Sequence, residues 1–282
     1  MSGSAGIPDA PVVNALPVTS PPLPETTNLL GVRVVVSSPD DLAMRLVRIA
    51  GEGTASGHAT YVCAASVHTV IEATRDRSFR RVLNGALAVA PDGMPLAWLG
   101  RLRGHRRMRR IRGPSLMKRV CQLSVERGIP HFLYGAAPGV VEELARRLKA
   151  EYPGLNVVGT HTPPFRPLSE VEEVNVVRLI NDSGARIVWV GLGTPKQERW
   201  MAAMAPRLTA GLLIGVGAAF DFHSGRLAEA PPWIQRSGLE WFFRLTQEPR
   251  RLWRRYLYAN PLFVAYAILQ LLHLKRFADF DT

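Results

Sequence analysis

Short β-branched apolar runs alternate with longer amphipathic ones along most of the chain. Period-two and buried runs predict strands over 32–36, 60–65, 86–90, 131–134, 155–160, 187–190 and 212–216. Helical spacing predicts helices over 41–50, 67–76, 114–126, 140–151, 171–181 and 197–204. Turn residues punctuate these runs: Pro91-Asp92-Gly93, Gly128, Gly135 and Pro153-Gly154. The strand–helix alternation predicts an α/β fold, a mostly parallel sheet with helices on both faces. It ceases near Ala230-Pro231-Pro232, and only helical patterning follows. The expected organisation is a disordered Pro-rich tail over 1–28, an α/β core over 29–230 and a helical, Arg-rich appendage over 231–282. The longest apolar stretch, 261–274, falls short of the roughly 20 residues that span a bilayer. It reads as a core helix or an interfacial one. Its place between an arginine cluster and Lys275-Arg276 favours the interface.

Composition narrows the partners. The 282 residues are 47% hydrophobic, enough for one large domain with or without an appendage. A net charge of +12 points to an anionic partner, which nucleic acid, anionic lipid or a sugar nucleotide could each supply. The charge is concentrated over 101–112 and 244–255. The first run reads as a solvated surface loop or as a grip on an anionic partner. The second carries Arg244, Arg250, Arg251, Arg254 and Arg255 among tryptophan and leucine, so a phosphorylated ligand and a lipid surface are suggested together. No helix-turn-helix, zinc or aromatic RNA-binding signature supports nucleic acid. Cys63 and Cys121 form no Cys-x-x-Cys pair and read as small buried apolar residues in a reducing compartment. The N-terminus lacks the basic start and apolar run of a secretion signal.

Candidate chemistry sits at predicted strand ends, where open α/β sheets bind ligands. Asp92 follows a buried strand and suits a general base, although a turn aspartate that caps a helix has the same look. Gly191-Leu192-Gly193-Thr194-Pro195-Lys196-Gln197 opens a helix and could offer backbone donors to an anion. Gly215-Val216-Gly217 precedes Asp221. Neither glycine run has the third glycine of a dinucleotide fingerprint, and no P-loop occurs, which weakens dehydrogenase and P-loop readings. The histidines lack metal-ligand spacing. Asp279-Phe280-Asp281 is formally Asp-x-Asp but has no strand before it and reads as a solvated tail. No metal and no cofactor are expected.

Taken together, certain segments resemble the WecG/TagA/CpsF glycosyltransferases, glycosyltransferase family 26. They are Ala90-Pro91-Asp92-Gly93, Arg110-Ile111-Arg112-Gly113-Pro114, the run from Val190 to Glu198, Gly215 to Phe222, Ala230-Pro231, Gly238-Leu239-Glu240-Trp241, Arg244-Leu245 and Glu248-Pro249-Arg250-Arg251. Their joint order carries the resemblance, which spans about 32–261. It implies a Rossmann-like core with a C-terminal helical, membrane-binding appendage. It further implies inverting, metal-independent transfer from a UDP-sugar to a polyprenyl-diphosphate-linked saccharide, in bacterial surface or exopolysaccharide synthesis. The enzyme would be peripheral, on the cytoplasmic face of the inner membrane. The sugar would be of N-acetylmannosamine, glucuronic or mannosaminuronic, or glucose type. Asp92 matches the family's proposed base, and Arg110, Gln197 and Asp221 match its motif residues. Arg244, Arg251 and Arg254 match the appendage arginines and are assigned the leaving diphosphate. The expected substrate-binding set is Ser66, His68, Arg110, Tyr134, Gly191, Gly193, Gln197, Asp221, Arg244, Arg251 and Arg254. Where the family commonly has Thr-x-Asn, this chain has Ala64-Ala65-Ser66, while Ser66-Val67-His68 parallels the Asn-Val-His of a subgroup. The missing amide removes donors that could read a sugar acetamido or hydroxyl group. A non-catalytic UDP-sugar binder and a basic nucleic-acid binder are the rival readings. The donor sugar, the acceptor and the oligomeric state, a homo-oligomer included, stay open.

Overall fold

The structure is a computed structural model that describes residues 24–54 and 57–278. It begins with an antiparallel hairpin of β1 (Thr26–Leu29) and β2 (Val32–Val35). The hairpin closes through Leu30 and Gly31 at φ 54° and 90°, the paired left-handed conformation that matches strand twist. The alternating region follows: α1 (Pro39–Glu52), β3 (Thr60–Ala65), α2 (Val67–Arg75), α3 (Arg77–Asn84), β4 (Ala88–Pro91), α4 (Met94–Leu102), α5 (Gly113–Val125), β5 (His131–Gly135), α6 (Val140–Glu151), β6 (Val157–His161), α7 (Glu170–Asp182), β7 (Ile187–Gly191), α8 (Lys196–Met204), β8 (Leu212–Gly215) and α9 (Ala219–His223). The C-terminal part is α10 (Pro232–Ser237), α11 (Glu240–Gln247) and α12 (Pro249–Leu271).

Six strands form one parallel sheet in the order β4-β3-β8-β7-β5-β6. Side chains alternate across it, as strand geometry requires. Cys63, Val188, Val190 and Leu213 join a core with α2, α3 and α8 on one face. Val62, Ile187, Trp189 and Ile214 join a second core with α1, α5 and α6 on the other. Burial on both faces is why these strands read as continuous apolar runs. Both cysteines are free and buried, as small apolar residues are. Local chemistry sets the helix starts: Ser38 accepts from the Asp41 N–H ahead of α1, and Ser169 and Glu172 form a capping box at α7.

The structure departs from the sequence-based expectations in several places. Most of the Pro-rich segment 1–28 lies outside the described residues, but Thr26, Thr27 and Asn28 belong to β1 and not to a tail. Asp279-Phe280-Asp281 also lies outside the described residues. Helices α3 and α4 were not predicted. In α3 only Phe79, Leu83 and the polar Asn84 are buried, and α4 carries Pro95 and Gly100, residues that read as breakers. Helix α12 is in part the core helix of the two readings of the 261–274 stretch. Ala259 and Phe263 join the core beneath α2, while Val264 and Ile268 stay exposed. Its end is pinned to the hairpin, where Gln270 accepts from the Leu30 N–H at 3.3 Å and donates to the Asn28 carbonyl at 3.2 Å. No helix among the described residues is long and apolar enough to cross a membrane.

Candidate active site

A cavity of about 1140 Å³ opens at the carboxyl ends of β3, β4, β7 and β8, with α11 and α12 along its other side. One end is polar and charged. The other is apolar, lined by Trp98 and Leu102 of α4 and by Val264, Ile268 and Leu271 of α12.

Asp92 follows β4 at the polar end and is half-buried. Its N–H donates to the Ala65 carbonyl at 2.9 Å, tying it to the neighbouring strand end. Burial pushes its carboxyl up to about 6 and outweighs Arg110 and Arg112, which pull down, while Glu240 adds to the rise. A carboxylate with that affinity for protons suits a general base near neutral pH.

Opposite stands a group of arginines. Arg244, Arg251 and Arg255 all line the cavity. Arg251 pairs with Glu248 at 2.7 Å, and Arg244 lies 3.6 Å from the same carboxylate. No carboxylate stands within ion-pair distance of Arg255 among the described residues. Burial, followed by the positive charges of Arg251 and Arg244, holds Arg255 below its ordinary range. His68 faces the same charge; burial and Arg255 push it down to about 4, so its ring is neutral at pH 7. This end of the cavity thus carries excess positive potential, suited to a diphosphate.

Of the expected set, Asp92, Ser66, His68, Arg110, Gly191, Gly193, Gln197, Asp221, Arg244 and Arg251 line this one cavity. Two residues do not. Tyr134 is buried in the sheet face, stacked on Trp200 at 4.2 Å and on His161 at 5.7 Å. Arg254 is exposed and lies over the Trp253 ring. The reason is helical phase. Leu252, Ala259 and Phe263 define the buried stripe of α12, and Arg255 shares it whereas Arg254 is a residue off. The basic run over 101–109 meets the cavity only through Leu102.

Several residues at the wall have their polar atoms engaged within the protein. Ser66 caps α2 in a capping box with Thr69. The Gln197 amide accepts from the Gly217 N–H at 3.1 Å and donates to Glu198 at 3.0 Å. It therefore clamps the turns after β7 and β8 together. Gly193, at φ 77°, has open space where a side chain would stand. Asp221 lies 3.6 Å from Arg226, and burial raises its carboxyl. Arg110 donates to the Asp92 and Gln235 carbonyls, each at 2.9 Å, and pairs with Glu240. Arg112 bridges Glu229 and Glu240. Sequence reasoning missed Glu240 and Arg112 as parts of this site, because their pairing joins segments 128 residues apart. Arg255 stood in the sequence's arginine cluster but outside the expected set, and the buried stripe of α12 is what brings it to the cavity. Among the described residues, no group of three His, Cys, Asp or Glu side chains is placed to hold a metal ion.

Comparison with known proteins gives a consistent result. A family model described as Glycosyl transferase WecG/TagA/CpsF family matches residues 27–277. The chain is 30% identical over 185 residues to an N-acetylglucosaminyldiphosphoundecaprenol N-acetyl-beta-D-mannosaminyltransferase of Bacillus subtilis, covering 66% of this chain and 70% of that protein. It is 29% identical over 197 residues to the protein of the same description in Bacillus spizizenii, covering 70% and 74%.

Proposed function

The chain belongs to the WecG/TagA/CpsF glycosyltransferase family, and from that premise we propose that it moves an N-acetylmannosamine-type sugar from UDP to a polyprenyl-diphosphate-linked N-acetylglucosamine. The observation that carries this reading is the single cavity that Asp92 shares with Arg244, Arg251 and Arg255. The Asp92 carboxylate takes the proton of the acceptor hydroxyl while that oxygen attacks the anomeric carbon. The bond from that carbon to the UDP oxygen breaks, and the electron pair leaves with the diphosphate. One displacement inverts the anomeric configuration. The arginines neutralise the charge that grows on the leaving group, the task a divalent ion performs elsewhere. His68 reads the donor sugar where the family's amide is missing. The apolar end between α4 and α12 receives the first units of the polyprenyl chain. Exposed Trp233, Phe242, Trp253 and Leu257, with Arg250 and Arg254 nearby, rest on an anionic membrane surface.

The test is UDP release from UDP-N-acetylmannosamine in the presence of a lipid-linked N-acetylglucosamine diphosphate. Release should require both substrates and survive EDTA. Asp92→Asn should bind UDP as the wild type does and lose about 10²- to 10⁴-fold in turnover. Full turnover in that variant removes Asp92 as the base, and loss of turnover with EDTA removes the metal-free mechanism. Ala64 and Ser66 favour a second reading, a UDP-sugar binder without turnover. It predicts thermal stabilisation by UDP with no release from any donor in a panel of UDP-sugars.

A further inference from the structure

Beside Asp92 lies a set of charges to which the mechanism above gives no part, although Arg110 and Glu240 line the cavity. Glu240, the first residue of α11, is 9% exposed. One of its oxygens accepts from Arg112 at 2.9 Å, and the other pairs with Arg110. Arg110 donates to the Asp92 backbone carbonyl, and Arg112 forks onto Glu229 at 3.0 and 3.1 Å. His223 lies 3.6 Å from the other Glu229 oxygen and donates through Nε2 to the Pro114 carbonyl at 2.9 Å. The groups acting on the Asp92 carboxyl are Arg110 and Arg112, which favour its charged form, Glu240, which opposes it, and the Gly113 N–H. Two arginines and two glutamates cancel. Without Glu240 a net positive charge stands beside Asp92 in a poorly solvated place, where it acts strongly.

We propose that Glu240 is a positioning residue that ties the seating of α11 to the strength of Asp92 as a proton acceptor. Seated, its charge and that of Glu229 together offset both guanidinium groups. Displaced, it leaves one net positive charge on Arg110 and Arg112, and that charge holds Asp92 in a weakly basic carboxylate form. Helix α11 itself carries Arg244 to the cavity, and α12, which follows it directly, carries Arg251 and Arg255. Seating therefore completes proton acceptance and leaving-group stabilisation together, and an unseated enzyme is poor at passing the sugar to water. The inference rests on Asp92 being the base.

The experiment compares kcat/KM against pH for the full chain and four variants, with UDP-sugar and a lipid-linked acceptor. The wild-type acid limb is expected near 6, where Asp92 stands. Glu240→Gln should move that limb down by about one unit and lower the plateau kcat several-fold, with KM for the UDP-sugar unchanged. Glu240→Asp keeps the charge and should keep the limb. Gly238→Ala moves the charge without removing it. A Cβ there would stand 2.8 Å from the Trp98 ring, at φ 81°, and so would shift the start of α11. It should reproduce the Glu240→Gln limb, and it answers the question if Glu240→Gln does not fold. A structural role alone would lower kcat equally at every pH. Unmoved limbs in Glu240→Gln and Gly238→Ala overturn the coupling, while an inactive Asp92→Asn in the same series leaves the base assignment standing. An active Asp92→Asn overturns the base assignment whatever Glu240→Gln does.

Discussion

Arg254 and Arg255 are neighbours in sequence with opposite surroundings. Arg255 lies on the stripe of α12 that meets the core, close enough to Arg251 and Arg244 for their charge to lower its proton affinity. Arg254 is exposed against Trp253. A guanidinium held among like charges, with no carboxylate within ion-pair distance among the described residues, favours an incoming anion more than one already solvated. Arg255→Ala is therefore expected to cost about 10²-fold in kcat and to weaken UDP binding by calorimetry. Arg254→Ala should leave both constants near wild type. Equal losses in the two variants would refute the assignment of the leaving group to the buried stripe. The same distinction separates residues that line the cavity from those free to bind in it. Gln197 and Ser66 were expected at the site from their motifs, and both line the cavity. Their engagement with Gly217, Glu198 and Thr69 was not legible, because an amide or hydroxyl is committed only by what folds beside it.

At the scale of elements, α12 changes the picture of the C-terminal region. The arginine spacing and the apolar run suggested a helix laid on a surface. In the structure that helix is amphipathic in two directions, with Ala259 and Phe263 in the core and Val264 and Ile268 toward the cavity mouth. A helix with such a buried stripe contributes to the stability of the α/β unit. Phe263→Ala is expected to destabilise the whole chain by about 3 kcal/mol, a common cost for a buried phenylalanine, measured by urea unfolding. A variant with unchanged stability would mean that α12 is dispensable to the core. Truncation before Arg244 is thus a poor test of chemistry, since it uncovers α2 and frees the β1–β2 turn that Gln270 holds. The strands were easier to read. Strands β3, β5, β7 and β8 were predicted within a residue at each end, because burial on both faces leaves an uninterrupted apolar run. Helices α3 and α4 were hidden by arginines, proline and glycine, whose local signals compete with weak periodicity.

For the whole molecule, the net charge of +12 and the exposed aromatic side chains of α10, α11 and α12 belong to one argument. Polybasic attraction to anionic lipid adds about 1 kcal/mol per arginine near the surface and fades with salt. Flotation of the full chain with vesicles is expected to need anionic lipid, to weaken at high salt and to fail when Trp233, Phe242 and Trp253 are replaced by serine. Binding to neutral vesicles at high salt would contradict it. The sequence by itself determined the α/β alternation, the strand-end position of Asp92, the glycine turns and the family. Each is written in spacing along one element or in a contiguous motif, and spacing fixes which residues share a face. Only the tertiary structure decided which arginine enters the cavity, that α12 also serves the core, and that Arg110 and Arg112 are held by Glu240 from 130 and 128 residues away. Those partnerships depend on how separate elements pack, and burial sets their strength by removing the water that would otherwise screen the charges.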